Sequence, residues 1–256
     1  MRPTLNLLAK RIALFLGFIA VLLAVQSIAG KHIEAGAGDD APELLTTLVR
    51  IFNINREQSL PTWYSASLLL LCALAVGVIA YFKRLNREPY RHHWIALALI
   101  FVYLSADEAA GLHEYWTEPL GEALDTTGGL YFAWVIVGAV AVIVFGLAFF
   151  RFWLHLEPRT RRLYVLACAV YVGGSIGVEM ISANEWYLND GSTLTYSLIG
   201  TIEELMEMLG VVIFFYAQLA YLARYVGEFS VAIRDRQHAV VPSPAPDSVS
   251  ATPAYD

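Results

Sequence analysis

Residues 130–153 read LYFAWVIVGAVAVIVFGLAFFRFW, a run whose one charged residue, Arg151, stands close to its end. A helix crossing the hydrocarbon layer of a bilayer needs about 20 mostly apolar residues. This run is long enough and keeps no polar face for water. Five further stretches have the same character, at roughly 12–30, 64–82, 93–112, 163–183 and 198–223. Membrane β-strands would alternate over segments of about 10 residues, so these continuous runs must satisfy their backbone groups within helices. The sequence therefore predicts an all-α, polytopic membrane protein with six transmembrane helices. The whole chain agrees: it is 57% hydrophobic with a mean hydropathy of +0.54, too apolar for a water-soluble domain.

Orientation follows from Lys and Arg near the ends of spans. Fourteen of the 17 lie before span one, between spans two and three, between spans four and five, or after span six. Those segments are expected to be cytoplasmic, with both termini, in a bacterial-type inner membrane. Residues 107–130 and 184–202 contain no Lys or Arg and are expected to face the periplasm. The only basic residues on that side are Lys31, Arg50 and Arg56. Arg56 beside Glu57 offers an ion pair, and Arg50 could turn toward the acids described below.

Residues 1–238 read as one membrane domain and 239–256, rich in Pro and Ser, as a disordered cytoplasmic tail. The first apolar run is too long for a secretory signal and is expected to stay as a helix. Pro42 to Phe52 places apolar residues at helical spacing, which predicts a short interfacial helix in the first outer loop. The short basic connections, 83–92 and 154–162, are expected to join antiparallel neighbours. Cys72 and Cys168 sit among Leu and Ala inside spans and read as small core hydrophobes. Membrane lipids are the expected partners. No nucleic-acid signature, phosphate loop, nucleophile motif or His-Glu-x-x-His zinc motif is present.

Acids within the spans carry the chemistry. A charge at the centre of a bilayer costs about 3 kcal/mol on insertion scales, so it faces a partner, a cavity or an ion. Span three ends in Asp107-Glu108-Ala109-Ala110-Gly111-Leu112-His113-Glu114. Asp107 and Glu114, seven apart, would share a helix face, while Glu108 and His113 point elsewhere unless Gly111 breaks the helix. Span five carries Glu179 after Gly173 and Gly177, a small-residue seam for close helix approach. Span six opens with Glu203, Glu204 and Glu207; Glu203, Glu207 and Gly210 fall on one stripe. Topology brings these groups to one outer depth, where they would repel unless protons or a cation were shared.

Asp107, Glu108, His113, Glu114, Glu179, Glu203, Glu204 and Glu207 are thus candidate ligands of a divalent metal ion, with Glu207, Glu108 and His113 as candidate catalytic groups. Many carboxylates and one imidazole favour harder cations over a thiolate-type zinc site. Di-iron carboxylate bundles offer a comparison, but they use a Glu-x-x-His step on two helices and this chain has none. Three functions remain: a metal-dependent enzyme acting on a lipid or periplasmic substrate, a cation- or proton-coupled transporter, and a structural or assembly subunit.

Overall fold

The computed structural model describes residues 2–38, 41–191 and 193–239, with side chains described for 5–38, 41–191 and 193–225. The tail expected from 239 lies, from residue 240 on, outside the described residues. Every regular element among the described residues is helical: α1 (Arg2–Ala37), α2 (Glu43–Phe52), α3 (Leu60–Leu85), α4 (Arg91–Ala110), α5 (Thr117–Leu124), α6 (Trp134–His155), α7 (Pro158–Val172), α8 (Glu179–Asn189) and α9 (Leu194–Ala239). A π-helical turn, Gly173–Val178, joins α7 to α8 without a break, and short 3-10 turns form at Glu114–Trp116 and Gly128–Leu130. Six helices are long and apolar enough to cross a membrane: α1, α3, α4, α6, the α7–α8 rod and α9.

Helix ends follow local chemistry. Ser59 caps α3, its hydroxyl accepting from the Thr62 amide, and Pro61 sits in the first turn, where no amide hydrogen is needed. Lys83 and Arg84 occupy the last turn, where the helix dipole favours cations. Lys83 pairs with Glu88, which also accepts from the Tyr225 hydroxyl, so the α3–α4 connection is tied to α9.

α9 is the axis of the bundle, with α1, α3, α7 and the π turn packed around it. The main core joins Leu68, Cys72 and Val76 of α3, Trp94 and Phe101 of α4, Ala167 of α7 and Val211 and Phe214 of α9. Cys72 is buried there and Cys168 packs against that core, both as free thiols.

α3 and α4 are close antiparallel neighbours. α6 runs antiparallel beside the α7–α8 rod, as expected: Trp134 at its start reaches Glu179, a Cβ on Gly138 would lie 3.6 Å from Ile176 Cδ1, and Trp153 at its end donates to the Arg161 carbonyl oxygen at 3.2 Å. It reaches the bundle through large side chains, with Phe152 against Trp94 of α4 (ring centroids 5.0 Å) and Phe149 against His93 (5.4 Å). α6 is apolar on all sides, and Ile143, Val144, Leu147 and Phe150 lie exposed.

α2 forms where the apolar spacing predicts a helix. Val49 is buried against Gly30 of α1, while Leu44, Leu48 and Ile51 are exposed.

Candidate functional site

Gly111 adopts a left-handed conformation (φ 56°), ends α4 and lets the chain fold back, with the Glu114 amide donating to the Gly111 carbonyl at 3.1 Å. The fold-back places His113 Nδ1 3.0 Å from Asp107 Oδ2. It also removes the shared face expected for Asp107 and Glu114, because a seven-residue spacing means one face only in an unbroken helix. Glu114 is exposed. Its carboxyl group is still partly desolvated, which raises its pKa, and the Glu57 carboxylate raises it further. Burial disfavours a charged His113, but the Asp107 carboxylate bonded to it, with Glu114 and Glu108 nearby, outweighs that and lifts its pKa above the usual imidazole value. Asp107 Oδ1 is buried without a hydrogen-bond partner among the described residues.

Glu57 was visible in the sequence only as a neighbour of Arg56. In the structure its carboxylate lies against the Gly111 backbone, in the space a Cβ would fill. Arg50 and Arg56 are exposed, and neither forms an ion pair among the described residues. The expected Arg56–Glu57 pair and the turn of Arg50 toward the acids are therefore both corrected: neither guanidinium gains enough to leave solvent.

The π turn sets the approach of α7–α8 to α9. A Cβ built on Gly174 would lie 2.9 Å from the Glu203 carbonyl oxygen and 3.3 Å from Glu207 Cγ; one on Gly210 would lie 2.8 Å from Tyr171 Cβ. The seam is thus Gly174 against Gly210's helix, whereas Gly177 has nothing within 4 Å. The extra residue of a π turn rotates the following residues out of α-helical register, so the Gly173–Gly177 spacing does not mark one face.

Glu179 leaves this turn bonded on both oxygens. Trp134 Nε1 donates to Oε1 at 3.0 Å, and Ser182 Oγ lies 2.9 Å from Oε2 and 3.3 Å from Glu203 Oε2. Ser182 and Trp134 were not singled out from the sequence. Ser182 stands three residues after Glu179, the spacing that returns to the same helix face; Trp134, at the start of α6, carries no such signal.

Glu108, beside Ser65 of α3, approaches from α4, and Glu204 and Glu207 from α9. The last two are half-buried, and neither accepts a hydrogen bond among the described residues. Asn55 ties the first loop to α9, its amide donating to the Ser197 carbonyl at 2.7 Å, with Gly200 leaving room for it. Three helices therefore bring together the acids that the sequence placed at one depth, with Glu114 at the rim. Among the described residues no three His, Cys, Asp or Glu side chains are placed to hold one metal ion.

Residues 13–222 match the family described as Domain of unknown function (DUF8692). The chain belongs to that family. The match takes in the carboxylates of α4, α8 and α9, with His113. No curated protein and no solved structure matches the chain.

Proposed function

We propose that this DUF8692 chain is a multi-pass inner-membrane protein, with both termini cytoplasmic and α2 at the periplasmic interface, and that its carboxylate cluster is the proton-exchanging site of a proton-coupled transporter. The observation that carries this reading is a set of acids within candidate spans, Glu108, Glu179, Glu203, Glu204 and Glu207, with no Lys or Arg partner among the described residues. Two charged carboxylates one helical turn apart, about 6 Å, repel by roughly 3 kcal/mol at an effective dielectric constant of about 20. Five such groups cannot all stay ionised without bound protons or a cation. Protons fit the placement better than a metal, because Glu179 and Glu203 share the Ser182 hydroxyl while, among the described residues, no three ligands converge on one point.

The test is proton uptake by the full chain in vesicles after acidification of the periplasmic side, followed by the infrared band of protonated carboxyl groups. A rise that is reduced in Glu207→Gln and Glu203→Gln supports the reading. An unchanged band in wild type, or an equal rise in all three proteins, refutes it.

One observation favours a second reading. His113 Nδ1 is engaged by Asp107, which leaves Nε2 as the ligand atom of a carboxylate–histidine–metal arrangement. A divalent ion seated there would serve a metal-dependent enzyme acting on a lipid or periplasmic substrate. Metal analysis of the purified protein decides it: about one equivalent, lost in His113→Ala, selects this reading. Metal-free protein whose melting temperature does not rise on adding metal excludes it.

A further inference from the structure

Farther along α9 from the carboxylates, three polar atoms are buried without a hydrogen-bond partner among the described residues: both amide atoms of Gln218 and the hydroxyl of Tyr164. Gln218 is 0% exposed and Tyr164 6%. Phe214, Gln218 and Tyr221 follow one another at i, i+4 and i+7 and share a helix face. Tyr164 of α7 packs its ring on Phe214, with centroids 5.1 Å apart, and also neighbours Tyr221. Gln218, between those two, is therefore on the face turned to Tyr164.

An unsatisfied buried amide or hydroxyl costs about 1–3 kcal/mol, and protein interiors commonly meet that cost with water held by two to four polar partners. Gln218 and Tyr164 supply both donors and acceptors. The titratable neighbours of Tyr164 are Cys72 of α3, Cys168 of α7 and Tyr221 of α9, all neutral residue types at neutral pH. Water is then the species that can carry a proton through this stretch.

Both ends of the stretch meet polar surroundings. Tyr221 and Trp94 also line a cavity of about 500 Å³ at the basic end of the bundle, with Lys83, Glu88, His155 and Arg224. On the acidic side Tyr171, two turns from Tyr164, sits against Gly210 and beside Glu207. Glu207 and Gln218 are about 16 Å apart along α9.

We infer that Tyr164 and Gln218 hold water admitted from the basic-end cavity, and that this water gives the carboxylates a second, cytoplasmic route for protons. The inference rests on the proton-exchange reading above. Each hop breaks one O–H bond of a water and forms another on the next, while the tyrosine and the amide stay neutral and hold the chain of waters in place. A site that each face can reach in turn is what coupling to transport requires.

The experiment uses full-length protein inserted in vesicles with one orientation, with pH jumps applied to either face and the protonated-carboxyl infrared band as readout. In wild type the band is expected to answer both jumps. In Gln218→Leu and Tyr164→Phe the periplasmic response is expected to be kept and the cytoplasmic response slowed by about tenfold or more. Slowing in either variant supports the inference, and Tyr164→Phe, which removes one oxygen, serves if the leucine variant does not fold. A wild-type band that answers only the periplasmic jump overturns the inference and leaves the proton-exchange reading standing, as does a wild-type cytoplasmic rate in both variants. A band that answers neither jump overturns that reading and the inference with it.

Discussion

Gly210→Ala tests the packing on which the carboxylate site depends. The added Cβ would meet Tyr171 Cβ and N at 2.8 Å and Cα at 2.9 Å. Carbon atoms pack best at about 3.5–4.0 Å, so α7 and α9 must part by about 1 Å. The obstacle includes backbone, so no rotamer change relieves it. Overpacking of this kind costs about 1–3 kcal/mol, against which alanine's better helix propensity returns up to about 1 kcal/mol. Gly77→Ala is the control: nothing lies within 4 Å of its added Cβ, so only the propensity gain remains. The two variants should differ by about 2 kcal/mol in equilibrium unfolding by sodium dodecyl sulfate in mixed micelles, Gly210→Ala being the weaker. Because Gly174 meets Glu207 on the same seam, Gly210→Ala should also blunt carboxyl protonation. Equal stability of the two alanine variants would refute the close approach.

Three shorter predictions follow from other contacts. His113 should titrate above the usual imidazole range, and Asp107→Asn should bring its pKa down, as read from the imidazole proton resonances; an unmoved titration would refute their pairing. At the other end, burial disfavours a charged Glu88, but the Lys83 and Tyr225 side chains bonded to it outweigh that and hold its pKa below the usual 4.5. Its contribution to stability is therefore full above pH 4.5 and is lost as pH falls through the depressed folded value, so melting temperature in acid should fall less steeply in Glu88→Gln than in wild type. Trp134→Phe removes the donor to Glu179 Oε1 and should cost about 1 kcal/mol in the same unfolding assay, whereas Trp63→Phe, at an exposed position, should cost nothing measurable.

The helical class and the six long apolar helices were legible in the linear sequence. Apolar run length is a local property, and in a bilayer the backbone has few other ways to satisfy itself. The same holds for the acids: Glu179, Glu203, Glu204 and Glu207 stand out because ionisable residues inside apolar runs are costly. What each acid touches was not legible, because it depends on small departures from regular helix geometry. The left-handed turn at Gly111 returns His113 to Asp107 and sends Glu114 outward. The π turn shifts the close approach to Gly174, away from the Gly173–Gly177 spacing.

Sequence alone thus determined how many helices are fit to cross a membrane and which of them carry acids, since both are counted along one chain. Tertiary structure decided that Trp134 and Ser182 hold Glu179, that Glu57 closes on Gly111, that Arg50 and Arg56 stay exposed, and that the polar atoms of Gln218 and Tyr164 are each buried. Those outcomes turn on ångström-scale contacts between residues far apart in the chain, where a glycine's missing side chain or one extra residue in a turn sets the partner.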